Sequence, residues 1–472
     1  MRRRRTAAAT LVAILAAATL GCTDGDRSVA AGGAESADLV ITNATVVTMD
    51  ADFRVIEGGA IAIAGSRIAA VGGAEVATRY AAKETIDAGG DIVMPGMVNT
   101  HTHASMTMFR GLGDDIPDRL RRFIFPLEAM VVDADNVYKG ALLGAVEMVL
   151  SGATTFVDMY YFEDAVARAA KAVGMRAVVG ETVIGFPAPD ADEAYGGLAY
   201  ARRFIAEWAD DELVTPALAP HAPYTLDKEH LEEVAVAARE LDVPVLVHLS
   251  ETQAEIDKID EEFGMSPVEY LDSVGLLDDR LVAAHCIFVD ADDIELLRER
   301  RVGVSHNIVS NVKAGKGIAP VLEMLAAGLD VGLGTDGPMS GNTLDLMGLL
   351  GYTAKLHKLA KLDRRVMPAR DVVMMATIGG ARAIDMDDRI GSLEAGKLAD
   401  LVIVDKDSVN MIPMYDVYAA LAYAASSHDV RTVIIHGRQV MRDRRMLTVD
   451  VEQIKRDVRV LTDRIAEEAA KL

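Results

Sequence analysis

Eight short apolar runs, each followed by a longer amphipathic segment, occupy the middle of the chain. Apolar runs of this length are typical of strands buried on both faces of a parallel sheet. They cover residues 97–103, 154–160, 176–182, 214–224, 243–251, 281–286, 302–307 and 330–337. Because eight parallel strands with crossover helices close into a barrel, we predict an α/β protein with a (β/α)8 TIM-like barrel over residues 95–388.

A different pattern flanks this stretch on both sides. Residues 38–94 and 389–447 contain runs in which apolar and polar positions alternate, broken by glycine turns, as in GGAIAIAGSRIAAVG and VRTVIIHGRQVMRD. Alternation with a period of two is typical of sheet strands with one covered face. We therefore predict a small β-sandwich formed by the N- and C-terminal segments, followed by a C-terminal helix over residues 448–472.

The N-terminus has the pattern of an export signal. Arg2–Arg5 are followed by the apolar run Thr6–Leu20 and then by Gly21 and Cys22. The run has 15 residues, fewer than the roughly 20 that span a bilayer as a helix, so an anchor helix is not expected. Residues 1–22 are therefore predicted to direct export from the cytoplasm.

Cys22 follows a small residue, as the lipidated cysteine of a bacterial lipoprotein does, although Thr19 stands where such signals usually have leucine. We predict a lipoprotein on the extracytoplasmic side of the membrane, held there only by its lipid, with a periplasmic or secreted protein as the alternative. Residues 23–37, rich in Gly, Ala, Ser and Asp, are predicted to form a flexible tether. The only other cysteine is Cys286, so no internal disulfide is expected.

Composition and charge narrow the choice of partners. The formal net charge is −24, and no basic cluster occurs beyond the N-terminus. A nucleic acid needs a positive protein face, so we exclude a nucleic-acid partner and expect a small-molecule substrate. With 51% hydrophobic residues, the 472-residue chain can bury a large core.

Titratable side chains stand at the ends of the predicted strands, which meet at one face of a barrel. His101 and His103 project from the same side of the first strand, because side chains alternate with a period of two. With His248 and Asp336, from the fifth and eighth strands, they offer nitrogen and oxygen ligands that suit zinc or ferrous iron. No lysine stands out as a carbamate bridge, so we predict one divalent metal ion, with zinc first and iron as the alternative.

A water molecule activated by such a metal needs groups that accept and deliver its proton. Asp336 is the candidate for accepting it. Glu251, three residues after His248, can carry the proton to the substrate, and His285 can orient the attacking water. The alternative for His285 is a buried structural histidine beside Cys286.

Four other polar positions receive structural interpretations. His230 and His357 lie in charged helical stretches and are expected at the surface. His306 stands at the end of the seventh strand, and a role in fixing a loop is as consistent with this position as a functional role. Asp158, at the end of the second strand, can cap a helix or hold a loop.

Several segments, taken in order, resemble one family. They are PGMVNTHTHASMTMFRG, EMVLSGATTFVDMY, PHAPYT, HLSET, AHC, VSHNIVSNVK, GIAPV, LGTDG and GSLEAGKLADLVIVD, and together they resemble the methylthioadenosine/S-adenosylhomocysteine deaminases of the amidohydrolase superfamily. The resemblance implies a barrel with a flanking sandwich, a mononuclear zinc or iron site, a homo-oligomer, and release of ammonia from an adenine nucleoside. It also implies that Glu128 binds the ribose hydroxyls, that His221 contacts the base or sugar, and that Glu251 contacts the substrate as it carries the proton.

Two departures from the family pattern bear on the substrate. No tryptophan precedes the segment FPLEA that contains Glu128, and no arginine follows the third strand before Arg202 and Arg203. We therefore expect adenosine, or an adenosine with a neutral 5′ substituent, rather than one with an amino-acid tail. Two alternatives stay open: a deaminase or chlorohydrolase of another ring (a pterin, a guanine-like base, cytosine or an s-triazine), and a catalytically silent binding protein.

Overall fold

The computed structural model describes residues 34–472. The predicted export signal, residues 1–22, lies outside the described residues, as does most of the predicted tether. In the described part, no helix is both long enough and apolar enough to cross a membrane.

Five strands precede the barrel. They are β1 (Glu35–Val47), β2 (Val55–Ala64), β3 (Arg67–Gly72), β4 (Tyr80–Asp87) and β5 (Ile92–Pro95), with the short helix α1 (Glu75–Arg79) between β3 and β4. β1 begins at Glu35, inside the predicted tether, because Glu35 pairs in parallel with Tyr80 at the start of β4. The sheet therefore starts three residues before the predicted boundary at Asp38.

The eight strands predicted from the apolar runs are all present, and they close into a parallel barrel. Their bounds are β6 (Met97–Thr102), β7 (Ala153–Tyr160), β8 (Arg176–Val183), β9 (Val214–Pro220), β10 (Val245–Leu249), β11 (Leu281–His285), β12 (Gly303–His306) and β13 (Val331–Leu333). The ring closes between β13 and β6, where Leu333 lies opposite Asn99. Burial along almost the whole length of each strand explains why apolar runs identified them. The predicted TIM-like barrel is confirmed.

Helices connect the barrel strands, and three more follow the last of these strands. They are α2 (Phe125–Val131), α3 (Ala134–Leu150), α4 (Glu163–Val173), α5 (Gly197–Trp208), α6 (Lys228–Leu241), α7 (Gln253–Phe263), α8 (Pro267–Ser273), α9 (Ala291–Arg300), α10 (Ile308–Lys313), α11 (Val321–Ala327), α12 (Leu346–Lys361), α13 (Ala369–Ala376) and α14 (Ile378–Ala383). Local sequence sets several of their starts. Asp227, Ser266 and Asp290 each accept a hydrogen bond from a backbone N–H in the first turn of α6, α8 and α9.

The C-terminal segment completes the sheet that β1 to β5 begin. Its elements are β14 (Leu401–Val404), α15 (Val417–Ala419), β15 (Val430–Ile435), β16 (Arg438–Arg442), β17 (Arg445–Met446) and α16 (Val451–Ala469). β14 pairs antiparallel with β5, with Val402 opposite Met94, and so joins the two halves in one nine-stranded sheet. Leu39 and Ile61 share a buried apolar cluster with Leu401. The predicted joining of the N- and C-terminal segments in one sheet unit is confirmed.

The end of the barrel where the strands begin is sealed by apolar packing. Val98, Leu246 and Val282, each the second residue of its strand, share one buried cluster with Ile384 and Met386, which follow α14. A buried ion pair joins this end to the sheet: Arg176 Nε, at the start of β8, lies 2.9 Å from Asp400 Oδ2. This end therefore serves stability, as in other barrels of this architecture.

Candidate metal centre and substrate cavity

The four predicted metal ligands meet at the opposite end of the barrel, where the strands end. The ligand atoms of His101, His103 and His248 all lie within 4.8 Å of one another. Asp336 Oδ1 lies 3.7 Å from His101 Nε2 and 3.4 Å from His103 Nε2. β6, the residue directly after it, β10 and the turn after β13 supply these residues, so the period-two placement of the first two histidines brings both toward the same point.

The donor atoms fit a divalent metal ion. His103 Nδ1 lies 2.5 Å from the carbonyl oxygen of Met159, and His248 Nδ1 lies 2.7 Å from that of His221. A carbonyl only accepts, so both Nδ1 atoms carry the proton and both Nε2 atoms present lone pairs. These Nε2 atoms lie 3.3 Å apart, and the buried His101 Nε2 has no hydrogen-bond partner among the described residues. A cation satisfies lone pairs that converge in this way, and carbonyl-oriented imidazoles are typical of metal sites.

Charges in the site match this assignment. Burial, reinforced by neighbouring imidazoles, lowers the pKa of His101 and His248, which keeps them neutral as ligands must be. Burial opposes ionisation of Asp336, but His285 and the ligand histidines hold its pKa well below the ordinary range. The hydroxyl of Ser310 donates a hydrogen bond to the same carboxylate.

Glu251 and His285 lie beside the ligand cluster and touch each other. His285 Nε2 lies 3.4 Å from Glu251 Oε1, and His285 Nδ1 donates to Asn311 Oδ1 at 2.7 Å. Lys316 also donates to Glu251 Oε1. Although burial opposes it, His285 and Lys316 hold the pKa of Glu251 down at about 2. The strand pattern of the sequence does not predict Lys316 and Asn311, because neither stands at the end of a strand.

Glu251, His285 and three of the predicted metal ligands line a cavity of about 520 Å³, a size typical of small-molecule sites. Glu128, from α2, lines its wall and accepts a hydrogen bond from Tyr160 at 2.6 Å. Burial raises the pKa of Glu128 to about 8. His221 also lines the cavity, with its ring 4.8 Å from that of His248, and burial lowers its pKa to about 4. The structure thus brings both predicted substrate-binding residues to the metal ligands.

The mouth of the cavity carries positive side chains that the sequence analysis did not find. Arg121 lies over the ring of Tyr224, 5.9 Å from its centroid, and Lys258 donates to the Tyr224 carbonyl oxygen at 2.8 Å. Arg202 and Arg203, on α5, are not among the residues that line the cavity. Arg121 precedes α2 and Lys258 lies on α7, so neither belongs to the segment after the third strand.

The predicted surface position of His357 was wrong, whereas the structural role predicted for Asp158 holds. His357 is buried on α12, with Nε2 3.0 Å from His306 Nε2, because it lies on the stripe of α12 that packs inward. Asp158 accepts hydrogen bonds from the Thr102 hydroxyl and, at 2.6 Å, from the Ala104 N–H, and so holds the turn around His103. The loop-holding interpretation of Asp158 is the one that the structure shows.

The backbone is strained where the catalytic candidates stand. Ser250, His285, Cys286 and Asp336 have φ angles of 50°, 77°, 45° and 59°. Residues other than glycine seldom adopt this left-handed region, and such outliers cluster at functional sites. They follow or end β10, β11 and β13, so these four outliers lie at the metal-ligand end of the barrel, while Asp242 and Arg301, before β10 and β12, adopt the same region at the other end.

Comparisons with known proteins agree with this architecture. The amidohydrolase family model matches residues 92–440. A relative from Syntrophobacter fumaroxidans, a 5-methylthioadenosine/S-adenosylhomocysteine deaminase, is 48% identical over 91% of this chain and 98% of its own length. An adenosine deaminase from Xanthomonas campestris, solved with bound zinc, superposes with a TM-score of 0.90 at 36% identity, covering 92% of this chain and all of that one. The zinc-bound atrazine chlorohydrolase of Arthrobacter aurescens has a TM-score of 0.82 at 25% identity, over 90% of this chain and 100% of that one.

Proposed function

The chain belongs to the amidohydrolase family, and from that premise we propose that it hydrolyses the amino group of an adenine nucleoside and releases ammonia. Candidate substrates are adenosine, 5′-methylthioadenosine and S-adenosylhomocysteine. One observation carries the proposal: a single cavity joins Glu128 and His221 to Glu251 and to three of the four predicted metal ligands, His103, His248 and Asp336. The relatives named above support the same substrate class.

The chain's own residues fit the proton transfers of this reaction. His101, His103, His248 and Asp336 would hold the metal, zinc first and iron as the alternative. When bound, it supplies Lewis-acid activation of a water molecule for attack on the amino-bearing carbon. Asp336, held ionised, accepts one proton of that water and gives it to the departing amino group, Glu251 takes up the other proton and carries it to the ring nitrogen, and His285 orients the attacking water. Water adds, the carbon–nitrogen bond breaks and ammonia leaves, so the amino group is replaced by an oxo group.

Glu128 is suited to a ribose diol. Its Oε1 is engaged by Tyr160, which leaves Oε2 for the substrate. When ionised, this carboxyl group accepts hydrogen bonds from both hydroxyls of a diol. When protonated, as a pKa of about 8 favours at neutral pH, it accepts from one hydroxyl and donates to the other, whereas a base without ribose makes no use of either form. This residue therefore separates nucleosides from free bases.

Ammonia release from signal-deleted, zinc-loaded protein tests the proposal. We expect turnover of at least one of the three nucleosides, and Glu128→Gln should raise KM for it about tenfold, as loss of a charged hydrogen bond does. No release from any of them would overturn the nucleoside assignment. Comparing turnover of the three nucleosides, which differ in their 5′ substituents, also shows whether the mouth of the cavity accepts a neutral or a charged substituent.

A second candidate is hydrolysis of another ring, such as an s-triazine. The similarity to the atrazine chlorohydrolase favours it. Turnover of such a ring that Glu128→Gln leaves unchanged would support this candidate. If the chain is instead a catalytically silent binding protein, we expect the metal site to stay empty when zinc is supplied. Metal analysis of the purified protein measures this occupancy.

We propose that the chain is exported and anchored by a lipid on Cys22. The pattern of residues 1–22 supports this proposal. Cys22→Ser should release the protein from the membrane fraction of the producing cells. Light scattering on the same preparations measures whether it is a homo-oligomer.

A further inference from the structure

One short segment, residues 308–317, supports three of the site's titratable groups. Ser310 bonds Asp336, Asn311 bonds His285, and Lys316 bonds Glu251. α10 supplies the first two residues, and the loop after it supplies Lys316. No metal ligand lies in this segment, so its contacts reach the chemistry only through other side chains.

The loop is shaped to bring the Lys316 ammonium to Glu251. The Lys316 N–H donates to the Asn311 carbonyl oxygen at 2.9 Å. Gly315 and Gly317, on either side, have φ angles of 66° and 134°, which only glycine adopts readily. A contact circuit results, in which Asn311 joins His285, His285 joins Glu251, Glu251 joins Lys316, and Lys316 returns to Asn311.

The two oxygens of Glu251 have different surroundings. Both Lys316 and His285 contact Oε1. No described residue donates a hydrogen bond to Oε2, and Glu251 lines the cavity. Oε1 thus accepts the hydrogen bond of Lys316 and faces His285, and Oε2 is left to the substrate.

We propose that Lys316 is a positioning residue, which pins Oε1 of Glu251 against His285 so that Oε2 alone exchanges a proton with the substrate ring. Lys316 also lines the cavity, but its side-chain hydrogen bond goes to Glu251, so we assign it a role through Glu251, and an unchanged KM in its variants would separate that role from direct substrate binding. Without it, Glu251 keeps only the 3.4 Å contact with His285, and its carboxyl group can rotate away from the ring. This proposal rests on the proposed function for the identity of the ring.

The test compares Lys316→Met, Lys316→Arg and Lys361→Met. Lys361 pairs with Glu323 at 2.7 Å on the exposed side of α12, so its variant removes a comparable ion pair away from the cavity. We expect Lys316→Met to lower kcat about 30-fold, less than the roughly 100-fold or more that loss of a general acid or base itself costs, and to change KM less than about threefold. Lys316→Arg should recover most of the lost kcat, and Lys361→Met should match the parent protein. Affinity for the deaminated product, measured by calorimetry, zinc content and the thermal midpoint should stay constant throughout.

Three results would overturn the positioning role. They are an unchanged kcat in Lys316→Met, a raised KM with kcat preserved, and no recovery in a folded, zinc-loaded Lys316→Arg. If the parent protein releases no ammonia from any nucleoside, the nucleoside assignment fails. The variants are then compared on whichever aminated ring it hydrolyses, so the two failures are distinguishable.

Discussion

The two ends of the barrel both bury charged groups, but they satisfy them differently. Where the strands begin, Arg176 and Asp400 are closed by further hydrogen bonds, to the Glu212 carbonyl and from the His436 N–H. Where the strands end, His101 Nε2 has no hydrogen-bond partner among the described residues, and the backbone is strained. Stability and chemistry therefore occupy opposite ends: a paired guanidinium and carboxylate tie the barrel to the sheet at one end, and converging imidazole nitrogens fit a metal ion at the other.

The largest expected effect is on turnover at the strand-end face. Glu251→Gln should lower kcat about a thousandfold, because the amide cannot carry the proton. Zinc content and the thermal midpoint should change little. The control is Glu212→Gln at the other end, where the side chain is largely exposed and only contacts His436. A Glu251→Gln protein with more than a tenth of the parent kcat would contradict the proton-carrying role.

The next effect is on stability at the strand-start face. Asp400→Asn leaves the Arg176 guanidinium buried without its charge partner, which typically costs about 3 kcal/mol. The free energy of unfolding, from urea titration, should fall by that order while kcat/KM of the folded protein stays constant. Loss of activity without loss of stability would break the division between the two ends.

A smaller effect is expected on binding at the cavity wall. Tyr160→Phe removes the hydroxyl that bonds Glu128, which corresponds to about 1 kcal/mol, or roughly fivefold in KM. kcat should be nearly unchanged, because the contact forms equally in the ground and transition states. An equal change in KM for a ring without ribose would show that the effect does not pass through the diol.

The smallest expected effect is a pH dependence of stability from the buried histidine pair. Burial lowers the pKa of His357 to about 4, below its ordinary value near 6.5. The unfolded chain therefore binds a proton first, and stability falls as the pH drops from about 6.5 toward 4. Between pH 7 and 5.5 the loss should be about 1 kcal/mol, and urea titrations of His357→Asn should show a shallower decline. Equal declines in parent and variant would contradict this source.

Sequence alone predicted the barrel and the ligand cluster for one physical reason. Strand ends meet at one face, so residues such as His101 and Asp336 are placed together once the strands are found. Asn311 lies in a helix and Lys316 in the loop after it. The path of these elements over the barrel is set by packing and not by local sequence pattern. His357 could have been found, because Leu350, Ala354 and His357 follow the helical spacing of a buried stripe. The catalytic roles of these residues stay predictions until the variants are measured.

The segment 308–317 has a consequence for how relatives of this chain diverge. Because its side chains support Asp336, His285 and Glu251 together, an insertion or deletion there displaces three groups in one genetic event. Loops that support single residues can change length one at a time. Exchanging residues 308–317 between relatives should therefore change the side chains that support the proton-transferring groups while the metal ligands stay the same.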